Sequence, residues 1–127
     1  MNLVDLVAIL ALLQFFAFGQ FVGHARGKYG VKAPAITGNE MFERAFRVQM
    51  NTLELLVLFI PALYLGAKYW FPSYVAATGV VYIAGRIIYW RAYMAAPQTR
   101  TLGFVLSIGP CLVLLVASLI GVVRSVA

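Results

Sequence analysis

The residues able to do chemistry stand out because the chain around them is apolar. From Phe42 to Glu54 the sequence reads FERAFRVQMNTLE. At about 100° per residue, Arg44, Arg47, Asn51 and Glu54 fall within an arc of about 80° on a helix. Gln49 points away from that arc and serves a different neighbour. A second stripe follows downstream, where Tyr82, Arg86, Tyr89 and Tyr93 share an arc of about 60°. Arg100 comes next, after Pro97. Facing each other, the two stripes form a cleft of guanidinium, amide, carboxylate and phenol groups. That inventory fits a small zwitterion or polyanion: arginines for carboxylates, a glutamate for an ammonium, amides for peptide groups.

Charged side chains inside an apolar run are expensive and require partners. Arg47 and Glu54 are separated by about 10 Å along the axis, too far to pair on one helix. Glu54 needs a cation from another helix, another subunit or a ligand, and Arg86 is the expected intramembrane partner. Structural readings compete with the functional one. Arg44 near the end of its run can snorkel to headgroups, and Tyr82 and Tyr93 can be interfacial aromatics. An ion pair at Glu54 can serve helix packing alone.

Other reactive types offer less. His24 is the only histidine and Cys111 the only cysteine, which excludes an internal disulfide, a redox pair and a cysteine- or histidine-clustered metal site. His24 reads as an interfacial loop residue, Cys111 in IGPCLVLL as buried packing, and Asp5 as solvated or capping. Glycines 66, 79, 85, 103, 109 and 121 are expected to permit close helix approach.

The elements positioning these residues follow from composition. Of 127 residues, 63% are hydrophobic and 11% charged, with a mean hydropathy of +0.90. Small domains bury the least of their surface, so a soluble fold of this size cannot hide so much apolar area. Disordered chains have the opposite composition. Four apolar runs can be marked, Leu3–Val22, about Met41–Ala67, Tyr74 to about Ala95, and Leu102–Val123. Each has about the 20 residues needed to cross a bilayer. The first is too long for a cleaved signal peptide and reads as a retained anchor. The expectation is an all-α integral membrane protein, one domain over 1–127, built as a four-transmembrane-helix bundle. Gly23, Gly27, Gly30 and Pro34 make the first connection irregular. Thr37 with Glu40, or Asn39, caps the second helix, and Pro61 lies inside it.

The net charge of +6 comes from ten basic and four acidic residues. The bases form no stripe interleaved with surface aromatics, so nucleic acid is not a partner. Arg26, Lys28, Lys32, Arg44, Arg47, Arg86, Arg91 and Arg100 lie at or near the first and third connections, against Lys68 and Arg124 on the other side. That asymmetry puts those connections in the cytoplasm and both termini outside.

FERAFRVQMNTLE, then YIAGRIIYWRAY and PQTRTLGF, together resemble the membrane-associated proteins in eicosanoid and glutathione metabolism, the MAPEG family. This family includes microsomal glutathione transferases and leukotriene C synthases. The resemblance implies a homotrimer with glutathione, a co-substrate rather than a bound cofactor, in clefts between subunits. It implies that Arg26, Arg47, Gln49, Asn51, Glu54, Tyr89 and Tyr93 bind glutathione and that Arg100 stabilises its thiolate. Arg44, Arg86 and Tyr82 then have supporting roles. Leu55 and Gly27 replace a tyrosine and an arginine of the leukotriene-forming members. With its compact loops, the chain is closer to a bacterial inner-membrane enzyme that conjugates hydrophobic electrophiles from the bilayer or reduces lipid hydroperoxides. Two rivals remain: a non-enzymatic lipid- or glutathione-binding protein of the same fold, and a small exporter with Glu54 as its proton-coupled carboxylate.

Overall fold

Asn39 opens the helix that carries most of the polar residues. Its side-chain oxygen accepts the Phe42 N–H at 3.0 Å, satisfying one of the donors that every helix start leaves free. Asn39, rather than Thr37, is the cap. A computed structural model describes residues 1–127 as α1 (Asn2–Tyr29), α2 (Glu40–Tyr69), α3 (Pro72–Ala95) and α4 (Thr101–Val126), with a 3-10 turn at Pro97–Thr99. Pro72 sits in the first turn of α3, where its missing N–H costs nothing.

α1 runs about two turns past the expected end at Val22 and stops at Gly30, whose φ of 71° is left-handed. Gly23 and Gly27 do not break it. The cost of glycine in a helix, about 1 kcal/mol each, is outweighed because Val22 and Ala25 pack into a cluster with Val31, Phe42 and Ala45. His24 and Arg26 therefore sit on a helix, not in a loop.

α1 and α4 each pack on both α2 and α3 and lie diagonally to one another. A central cluster built on Leu55, Leu56, Phe59 and Leu63 of α2 joins the elements, with Phe59 and Tyr82 stacked at 3.9 Å. Tyr82 is fully buried; it is a core residue and not an interfacial aromatic. The outward faces of α1 and α4 expose leucine, isoleucine, valine and phenylalanine almost throughout, the surface of a protein solvated by lipid.

α1, α2 and α4 are long and apolar enough to cross a membrane. α3 is long enough at 24 residues, about 36 Å, but falls short in hydropathy. The reason is visible in its packing: Tyr82, Arg86 and Tyr89 are buried against the neighbouring helices, so α3 hides polar groups that a lone span would expose.

Two helix contacts are close enough to require glycine. A Cβ on Gly85 would stand 2.6 Å from the Leu106 carbonyl carbon, and one on Gly103 would collide with the Tyr89 backbone. Gly79 and Gly121 also sit in tight contacts, whereas Gly66 has ordinary room and Gly109 faces open space. The close-approach reading holds for four of the six glycines.

Candidate active site

The two polar stripes converge beside the turn that joins α3 to α4. Arg47 and Asn51 of α2, Tyr89 and Tyr93 of α3, and Arg100, Thr101 and Phe104 at the start of α4 line one cleft of about 490 Å³. Periodicity places the first four there, because i, i+4 positions share a helix face. Arg100 arrives through the 3-10 turn, and its Nη1 donates to the Pro97 carbonyl at 2.9 Å. Thr101 and Phe104 are additional lining residues that the two stripes do not include. The signal for them is Arg100 itself, since the next residues of a helix starting there occupy the same mouth.

Local contacts hold the walls. Thr99 Oγ1 donates to the Ala96 carbonyl at 2.7 Å and stabilises the turn. The Tyr89 and Tyr93 rings lie 5.5 Å apart, and Tyr89 is 6.4 Å from Phe104. Arg47 and Arg100 are exposed, Asn51 and Tyr93 half-buried, and Tyr89 buried. The free N–H groups at the α4 start add a positive end of the helix dipole to two guanidinium groups. An anion is the favoured occupant.

Arg86 lies beneath this cleft and does not meet Glu54. Its Nε donates to Ser107 Oγ at 2.8 Å, and its Nη1 donates to Asn51 Oδ1 at 2.8 Å and Thr52 Oγ1 at 3.1 Å. The guanidinium carbon is 4.2 Å from the centroid of the Tyr89 ring. Neutral oxygens and a ring face replace the expected carboxylate. Glu54 is exposed, and the one ion pair in the chain is Arg44–Glu40 at 2.6 Å.

Arg44 does not snorkel. Its Nη1 donates to the Met94 and Ala95 carbonyls at 2.9 and 3.2 Å, tying the α2 start to the C-terminal end of α3, where a cation is favoured. Arg26 donates to the Ala35 carbonyl at 2.7 Å and lies 4.7 Å over the Phe42 ring. Gln49 packs its amide toward Gly19 of α1. Arg26, Gln49 and Glu54 thus stand outside this cleft. Asp5, read as solvated or capping, accepts the Tyr64 hydroxyl at 2.8 Å, and Cys111 is fully buried as read.

A separate apolar cleft of about 290 Å³ lies on the other side of α3, where Phe18, Phe21, Ala45, Val48, Trp90 and Met94 form its walls and His24 and Lys28 sit among the lining residues.

An all-helical membrane protein with a cleft lined by two arginines and two tyrosines between its second, third and fourth helices defines the class. The MAPEG family model matches residues 4–120, and the chain belongs to that family. It is similar to an uncharacterized protein of Synechocystis sp., with 44% identity over 92% of this chain and 85% of the relative. It is also similar to human microsomal glutathione S-transferase 2, with 38% identity over 97% and 84%. Leukotriene C4 synthase of Cavia porcellus is 33% identical over 77% of this chain and 65% of its own length.

Proposed function

We propose that this protein is a membrane-bound glutathione transferase that activates the glutathione thiol to attack hydrophobic electrophiles dissolved in the bilayer. The observation that carries this reading is the convergence of Arg47, Asn51, Tyr89, Tyr93 and Arg100 on one cleft. Similarity to microsomal glutathione S-transferase 2 over most of both chains supports it.

A free thiol has a pKa near about 8.5, so little thiolate forms at neutral pH. A guanidinium within about 4–6 Å favours the charged form and lowers that value by about one to three units. Arg100 supplies the guanidinium, and the α4 N-terminus beside it adds partial positive charge. The thiolate attacks the electrophile, a thioether bond forms, and the leaving group departs with its electron pair. The protein contributes proximity and charge stabilisation, without a covalent nucleophile of its own.

The working unit is a homotrimer of four-span protomers in a bacterial inner membrane, with cytoplasmic first and third connections. Arg26, Gln49 and Glu54 complete a site shared between subunits. Support for this comes from Glu54, exposed in the protomer without a cation, and from Arg26 and Gln49, which meet Phe42 and Gly19 and do not line the cleft.

Turnover of a chlorodinitrobenzene substrate with glutathione, alongside the ultraviolet absorbance of the bound thiolate, tests the assignment. Arg100→Ala is expected to slow turnover by about a hundredfold and to abolish thiolate absorbance at neutral pH. Unchanged rate and absorbance would remove Arg100 from the chemistry.

A further inference from the structure

Arg86 is 0% exposed and has no carboxylate partner. Burying a charge costs several kcal/mol even after relaxation, and a membrane interior allows it only against protein partners. The partners present have a fixed polarity. Ser107 Oγ donates to the Gly103 carbonyl at 2.6 Å and Thr52 Oγ1 to the Val48 carbonyl at 2.7 Å. Each hydroxyl has thereby committed its proton to its own helix and turns lone pairs toward Arg86. A guanidinium can only donate, so Asn51 can meet it only through its carbonyl oxygen, as the 2.8 Å contact has it. Donor–acceptor logic thus settles an amide orientation that is ambiguous for most asparagines. The remaining polar group of Asn51, which lines the cleft, is its NH2.

We propose that Arg86 is a positioning residue: by holding Asn51 Oδ1 it leaves the Asn51 N–H groups for the cleft, selecting a carbonyl or carboxylate oxygen of the bound peptide. Its charge, unneutralised within the protomer, lies under the same cleft and adds to the attraction for an anionic ligand. Arg86 acts through Asn51 and the Tyr89 ring, and does not itself touch the substrate. This inference rests on the reading of the cleft as a glutathione site.

Asn51→Asp separates positioning from folding. The carboxylate keeps an acceptor for Arg86 and gains an ion pair, yet has nothing to donate to the ligand. Thermal unfolding is expected at or above the wild-type temperature, while glutathione affinity by calorimetry falls at least tenfold. Arg86→Lys retains the charge but cannot reach Asn51, Thr52 and Ser107 with one planar fork. It is expected to raise KM for glutathione about tenfold with kcat within about threefold, and to have little further effect on affinity in an Asn51→Ala background. Wild-type affinity in Asn51→Asp, or additive losses in the double variant, would overturn the positioning role while leaving the glutathione reading intact. Absence of glutathione binding by the wild-type protein would overturn both.

Discussion

Two clefts flank α3, and their walls come from neighbouring residues of one helix. Tyr89 and Tyr93 face the polar cleft with Arg47 and Arg100, whereas Trp90 and Met94, one position further round, face the apolar one with Phe18 and Val48. A rotation of about 100° changes the surroundings from phenols and guanidinium groups to rings and thioethers. The polar side is held by directional contacts that run from α2 through Arg86 to α4. The apolar side is held by ring packing, with Trp90 stacked on Phe21 at 5.1 Å. Directional contacts define where a ligand atom must sit, while ring packing tolerates small shifts. The first suits chemistry on a fixed thiol and the second suits adhesion between helices.

The largest effect is expected where the polar cleft depends on backbone. Gly103 of α4 lies directly against the Tyr89 backbone of α3, and backbone atoms cannot rotate out of the way as a side chain would. Gly103→Ala must push the two helices apart at the level of Tyr89 and Phe104. A stability loss of about 1–3 kcal/mol is expected, with loss of most glutathione binding. Gly109→Ala, on the same helix and facing open space, is the matched control and is expected to unfold within a degree or two of wild type. Equal melting temperatures for the two variants would mean that the α3–α4 approach does not define the cleft.

A side chain of the polar cleft comes next. Arg47 is exposed and makes no hydrogen bond to protein, so its guanidinium is free for a ligand carboxylate. Charge-assisted hydrogen bonds contribute about 1.5–3 kcal/mol, and Arg47→Ala is expected to weaken glutathione binding by about 10–100-fold without lowering the melting temperature. The loss should shrink as salt is raised, because an exposed pair is screened. An affinity unchanged at low salt would place the ligand carboxylates elsewhere.

What the sequence made legible follows the same division. The polar faces of α2 and α3 could be found because few polar residues interrupt those helices, and a periodicity of 3.6 groups them on one side. Asn51 and Tyr89 share one cleft for that reason, whereas Arg100 reaches it through the turn after Pro97. The expected Glu54–Arg86 pair fails, because it rests on a carboxylate in an apolar run needing a cation, while Glu54 is exposed and Arg86 is satisfied elsewhere. Three neutral oxygens and a ring on three helices do the work instead, and such a set leaves no pattern along the chain. Arg26, Gln49 and Glu54, which the family resemblance groups with these residues, stand outside the cleft: Arg26 lies over Phe42, Gln49 faces Gly19 of α1, and Glu54 is exposed without lining it. The apolar cleft leaves no signal along the chain, because apart from His24 and Lys28 its lining residues are of the apolar kinds that fill membrane helices. α1 was cut short at its glycines, where tertiary packing overrides the local cost.

The smallest effect on binding is expected on the apolar side. Trp90 is half-buried, stacked on Phe21 and 6.0 Å from Phe18, and its removal takes a large ring from the α1–α3 contact. Trp90→Ala should therefore lower the melting temperature by several degrees, as expected for loss of about 1–2 kcal/mol in a chain of this size. Glutathione affinity should change less than twofold, because Asn51 is oriented from the opposite side of α3 by Arg86. The informative outcome is the ratio of the two effects. If Trp90→Ala weakens glutathione binding as much as Arg47→Ala does, α3 transmits displacement from one face to the other and the clefts are one functional unit. If only stability falls, α3 is a partition, with the ligand recognised on one side and the bundle held on the other.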